Sequence, residues 1–170
     1  MPVVIRLVAD RVGLTGDTHV RTVRIMVRHI VHLGGRARRM IPRLELRRLA
    51  FARLKDARAL YASGRYDAAR YLCGYAVELA LKARICRTLR WEAFPQTRKQ
   101  FEHYGSFKIH NLQVLLRLSG MEERIRTRHH GDWVQVSDWD PTFRYAAEGT
   151  TQADVAKSIL TSARQIVRAL

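Results

Sequence analysis

Three observations predict an all-α protein, an antiparallel bundle of four or five helices. Apolar residues recur at three- and four-residue steps, glycines stand where those runs end, and capping residues stand where they begin. After Met40 the pattern is helical throughout. A chain of 170 residues is long enough to bury a core of its own.

The first helix packs Leu46, Leu49, Ala50, Leu54, Ala57 and either Leu60 or Tyr61. Gly64 suits the left-handed position that closes it. Asp67 falls in the first turn of a second helix, where its charge meets the helix dipole. That helix runs to about Leu89. Its stripe is Ala69, Leu72 or Cys73, Ala76, Leu79, Ala80 and Ala83, with alanines that allow close approach of a neighbouring helix. Pro95 to Gly105 reads as a loop. Asn111 caps a third helix carrying Leu112, Leu115, Leu116 and Leu118, and Gly120 stops it. Met121 to His129 is a short charged helix or helical turn, and Gly131 to Ser137 a loop or short extended piece. Asp140-Pro141 is a cap followed by proline at the first helical position. Thr151 to Asp154 reads as a capping box. The last helix packs Val155, Ile159, Leu160, Ala163, Ile166, Val167 and Leu170.

The chain divides near Met40. Residues 1–40 form a basic extension in which arginines greatly outnumber Asp10 and Asp17. One amphipathic helix fits Val20 to Leu33, with Gly34-Gly35 ending it. The composition also fits GC-rich DNA read through in frame, with Met40 as the natural start. Residues 41–170 form the helical domain.

A net charge of +16 and a pI near 11.1 favour a polyanion as partner, RNA or DNA first. Arginine far outnumbers lysine, so genomic bias supplies an alternative source of the charge. No apolar run is long enough to span a membrane. Cys73 and Cys86 match no metal or redox spacing and fall on different faces of one helix. No disulfide and no cofactor are expected, and a cytoplasmic location is.

Leu54 to Ala83, with Gly64-Arg65-Tyr66-Asp67 and then Gly74-Tyr75-Ala76-Val77-Glu78 and Leu81-Lys82-Ala83, resembles the signature of the HEPN superfamily. Phe94-Pro95, His110-Asn111-Leu112, a second tryptophan region and Arg144-Tyr145 follow in family order. The resemblance spans about Leu44 to Leu170. It implies a helical bundle that usually forms homodimers, in a toxin–antitoxin or defence system. It also implies action on RNA or a nucleotide, often as a metal-independent ribonuclease. The gene beside such proteins often encodes a nucleotidyltransferase of the MNT type, the antitoxin. Catalytically silent binding modules also belong to the superfamily. A purely structural dimerisation domain is the third class.

The superfamily's ribonuclease motif is Arg, four to six residues, then His. Arg124 with His129 or His130 fits, as do Arg98 with His103 and Arg24 with His29. Histidine can exchange a proton with the 2′-hydroxyl, and arginine can stabilise the phosphoryl charge. Arg124 and His129 are the best placed. The residue after Arg124 is Ile125, where the motif usually has a small polar one. The plainer reading is a solvated basic turn that grips phosphates.

A second constellation lies on one helical face, Tyr71, Tyr75, Glu78 and Lys82, at steps of four, three and four. The plain reading is an i,i+4 ion pair with packing tyrosines. The functional reading is a polar pocket in which Glu78 faces and orients His110, with Arg144 also facing it and Asn111 and Tyr145 nearby. Trp133, Trp139, Phe143 and Tyr145 are read chiefly as core residues, base stacking being the alternative.

Overall fold

The computed structural model describes residues 40–95 and 109–170. Apart from Met40, Ile41 and Pro95, these form one compact unit, Pro42–Phe94 with Ile109–Leu170. The second unit, Met1–Ile41 with Pro95–Lys108, lies almost wholly outside the described residues. The expected helix at Val20 to Leu33, most of the loop from Pro95 to Gly105 and the pairs Arg98/His103 and Arg24/His29 fall outside them as well.

The described chain is all-α with one minimal strand pair. β1 (Ile41–Pro42) pairs with β2 (Ala93–Phe94). The helices are α1 (Arg43–Ala62), α2 (Tyr66–Thr88), α3 (Leu112–Ser119), α4 (Glu122–Arg128), α5 (His130–Val136) and α6 (Ala153–Ala169). A 3-10 helix spans Pro141–Tyr145. Three long helices and three short ones build the all-α fold expected of these residues.

α2 is the central helix. It packs against α1, α3, α6 and the 3-10 helix, and it is buried on nearly every side. That explains why its stripe is wider than an amphipathic one. Cys73, rather than Leu72, occupies the alternative core position, and Val77, Leu81, Ile85 and Cys86 are also fully buried. α1 and α2 are joined as the glycine predicts. Gly64 adopts φ 73°, and the amides of Arg65 and Gly64 donate to the carbonyls of Leu60 and Tyr61. α2 ends on the same motif, with Arg90 at φ 57° and Trp91 N–H on the Cys86 carbonyl at 2.7 Å.

Asn111 caps α3 as expected, its side chain accepting from Val114 N–H at 3.0 Å, and Gly120 stops the helix. Asp140 caps the 3-10 helix through Thr142 N–H at 2.8 Å. Three expectations are corrected. His130–Val136 is helix, not loop or extended chain. Trp133 and Val136, three apart, both face inward while Val134 is 52% exposed, so packing on α6 imposes a helical period. Thr151 does not make a capping box. Gln152 precedes α6 without a side-chain cap, and Thr151 N–H donates to Asp67 of α2 at 2.8 Å. Gly149 N–H and Thr150 Oγ1 bind the same carboxylate, so a distant ionised acceptor takes the role of the local hydroxyl. Val155, expected in the core, is 41% exposed, and Ala156 lies inside instead.

Trp133 and Trp139 are buried, as the core reading holds. Phe143 is half-buried under the Arg70 guanidinium, 4.4 Å from its ring centre, and Tyr145 is 75% exposed. Gly74 of α2 is where Trp139 seats. A Cβ there would fall 2.0 Å from the indole, and the indole N–H donates to the Tyr71 carbonyl at 3.0 Å.

Candidate functional site

Helical geometry puts Tyr71, Tyr75, Glu78 and Lys82 on one side of α2. Glu78 is only 2% exposed. Charge this deep persists only when paired, and losing a partner costs about 3–5 kcal/mol. Glu78 has two partners on the same oxygen. Lys82 Nζ donates to Oε1 from one turn along, and His110 Nδ1 lies 3.0 Å from it. Lys82 also lies 5.4 Å from the ring centre of buried Phe94.

His110 precedes the cap of α3, so the cap fixes its backbone while Glu78 fixes its ring. The histidine side chain is 57% exposed, against 3% for the carboxylate side chain. With Nδ1–H donated inward, the neutral imidazole carries its lone pair on Nε2. Lys82 bonds the same oxygen, so Glu78 has a cationic partner besides His110.

The 3-10 helix completes the cluster. Asp140 takes both the amide and the hydroxyl of Thr142, at 2.8 and 2.6 Å. These bonds hold its carboxyl below the usual range, and the charge of Arg144 adds to the effect. Arg144 lies beside Tyr145 and Tyr71, with its Cζ 4.9 Å from the Tyr145 ring centre. Both tyrosines favour its charged form. Tyr71 and Tyr75 stack at 6.4 Å, and Trp139 lies 5.9 Å from Tyr71. Burial pushes the Tyr75 hydroxyl up, and Glu78 and Tyr71 push it further, so it stays a donor.

The structure brings together Tyr75, Glu78, Lys82 and His110, with Asn111 next to His110. Arg144 and Tyr145 lie at the edge of the cluster. The expected contact of Arg144 with Glu78 is not made. Lys82 is already in place one turn away, and Arg144 takes the exposed aromatic faces instead. Asp140 enters the cluster unexpectedly, since its sequence context signals only a cap. Phe94 is likewise legible only as part of the Phe94-Pro95 pair.

Arg124 and His129 have different neighbours. Arg124 is exposed on α4, and its charge acts on Arg84 of α2. His129 is half-buried at the break between α4 and α5, with Nδ1 3.6 Å from Asp132. A five-residue step on a helix separates two side chains by about 140°.

These positions provide a flat aromatic surface, a cation and an imidazole with one ring nitrogen available to a ligand. Such a set can stack a base, hold a phosphate and exchange a proton. No helix among the described residues is long and apolar enough to cross a membrane. Searches of curated proteins and of solved structures find no match. The family model for the HEPN domain matches residues 44–170, which takes in every helix described except the first residue of α1. The chain belongs to the HEPN family.

Proposed function

We propose that this HEPN protein binds RNA in a toxin–antitoxin or defence system, with His110 as the group that meets the ribonucleotide. The observation that carries the reading is a half-exposed imidazole oriented by a buried carboxylate that Lys82 also bonds. Exposed Tyr145 and the Arg144 guanidinium beside it offer a base-stacking face and a phosphate contact. The net charge of +16 supplies the long-range attraction.

The same arrangement suits metal-independent cleavage. His110 Nε2 takes the 2′-hydroxyl proton, the 2′-oxygen attacks phosphorus, and the 5′-oxygen leaves with a proton from water. Arg144 is the cation at hand for the developing phosphoryl charge. A second reading is a silent module that binds a nucleotide or an MNT-type nucleotidyltransferase partner. Its support is that Arg124 and His129 have different neighbours. A homodimer and a cytoplasmic setting belong to both readings.

Incubation of the full chain with single-stranded RNA in EDTA tests them. Cutting that His110→Ala abolishes establishes the nuclease. RNA that is bound with salt-dependent affinity and stays intact establishes the silent module. No binding of RNA even at low salt rejects the proposal.

A further inference from the structure

Asp67, Arg70, Tyr71 and Gly74 share one face of the first half of α2, and all four hold the segment from Asp138 to Thr151. Asp67 fastens its far end through Gly149, Thr150 and Thr151. Gly74 and the Tyr71 carbonyl seat Trp139 near its start. Between these ends the chain from Arg144 to Thr150 is exposed. The segment is a strap tied to α2 at both ends.

The 3-10 helix inside the strap contains no buried residue, and five residues of 3-10 helix have little stability of their own. Arg70 reaches it from α2. Its Nη2 donates to Asp138 Oδ2 at 3.1 Å, and the same guanidinium stands 4.4 Å from the ring centre of Phe143. One planar cation therefore joins the residue before the Trp139 seat to the middle of the 3-10 helix. A guanidinium suits this double contact because it can stack on a ring while its edge donates to a carboxylate. Arg144 and Tyr145 follow Phe143 directly, with the Arg144 Cζ 4.9 Å from the Tyr145 ring centre. Where Phe143 is held decides where this exposed pair stands.

We propose that Arg70 is a positioning residue for RNA binding: by holding Asp138 and Phe143 it fixes the strap so that Arg144 and Tyr145 present a phosphate contact and a stacking face. Arg70 acts through those two side chains and not through its own charge. Its gain is preorganisation, because a strap already in place need not be ordered when RNA arrives. The inference rests on the proposed function, which assigns RNA contact to Arg144 and Tyr145.

A double-mutant cycle on the full chain tests this. The affinity of a labelled single-stranded RNA is measured for wild type, Arg70→Ala, the tip variant Arg144→Gln/Tyr145→Ala, and all three substitutions together. Circular dichroism confirms that each is folded. Arg70→Ala should bind about five- to tenfold more weakly than wild type, yet change affinity less than about twofold in the tip-variant background. Arg70→Lys, which keeps a cation beside Asp138 and Phe143, should regain part of the lost affinity. Hydrogen exchange supplies a readout without RNA. The amides of Phe143 and Ala146, bonded to the carbonyls of Asp140 and Phe143, should exchange faster in Arg70→Ala, while the core amides of α6 keep their protection. An equal loss of affinity in both backgrounds would overturn the proposal, because Arg70 would then act by itself. Wild-type affinity in Arg70→Ala, or unchanged exchange at Phe143 and Ala146, would overturn it as well. A wild type that binds no RNA would instead reject the proposed function, and this inference with it.

Discussion

Gly74→Ala is the sharpest structural perturbation. The added Cβ would fall 2.0 Å from both Cδ1 and Cγ of Trp139 and 2.6 Å from Cδ2. These atoms form the root of a ring that is 5% exposed, so the indole cannot swing aside without leaving its seat. Leaving it forfeits most of the Trp139 burial, about 3–5 kcal/mol by analogy with removing a core aromatic. It also breaks the bond to the Tyr71 carbonyl. Replacing a mid-helix glycine by alanine returns about 1 kcal/mol of helix propensity. The net expected loss is about 2–4 kcal/mol, or roughly 5–15 °C in melting temperature. Trp139 directly precedes Asp140, so the variant should also loosen the segment carrying Arg144 and Tyr145 and weaken RNA binding. Gly131→Ala is the matched control. It lies in α5 with nothing within 4 Å of the new Cβ, and should stabilise by about 0.5–1 kcal/mol. Urea unfolding followed by tryptophan fluorescence measures both. A Gly74→Ala protein as stable as wild type would refute the packing argument.

Asp67→Ala should cost about 1 kcal/mol at pH 7, the low end for charge-assisted bonds because two of the three lie at the surface. The Thr150 hydroxyl leads the groups that lower the Asp67 carboxyl from 3.8 to about 2. Its stabilisation is therefore full above about pH 4 and fades as pH falls toward 2. Wild-type and variant urea midpoints should converge there, and a gap that stays constant would contradict the assignment. Glu78→Gln should lower stability by about 2–4 kcal/mol, because it strips the charge partner from half-buried Lys82. It should also weaken RNA binding. Full affinity in the folded variant would make Glu78 purely structural. Burial pushes both Cys73 and Cys86 up to about 12. Neither thiol should react with a thiol reagent at neutral pH until urea unfolds the chain, and rapid labelling of the native protein would contradict their burial.

The fold was legible where local chemistry decides it. Gly64, Gly120, Asn111 and Asp140 end or begin helices through their own backbone preferences and side-chain oxygens. The period of α1 and the family-like run through α2 were equally local. Features set by distant partners were not legible. Asp67 captures the turn before α6, some eighty residues on, and so displaces the expected Thr151 cap. α5 is helical because Trp133 and Val136 pack against α6, although the segment's β-branched residues suggest extension. Arg90 holds the left-handed position after α2 that glycine normally marks, so the end expected near Leu89 is reached without a glycine. The site divides in the same way. Tyr71, Tyr75, Glu78 and Lys82 share a face by spacing alone, and family order added His110. The absence of an Arg144–Glu78 contact depends on tertiary placement, which spacing does not encode.

If RNA meets this protein at His110, removing that imidazole must weaken binding. The most direct test is the affinity of single-stranded RNA for the full chain carrying His110→Ala or His129→Ala, each confirmed as folded by circular dichroism. Binding should be at least about tenfold weaker for His110→Ala, equivalent to about 1.4 kcal/mol, with His129→Ala close to wild type. Full affinity in His110→Ala, with the loss in His129→Ala, would contradict this and move the site to the α4–α5 break.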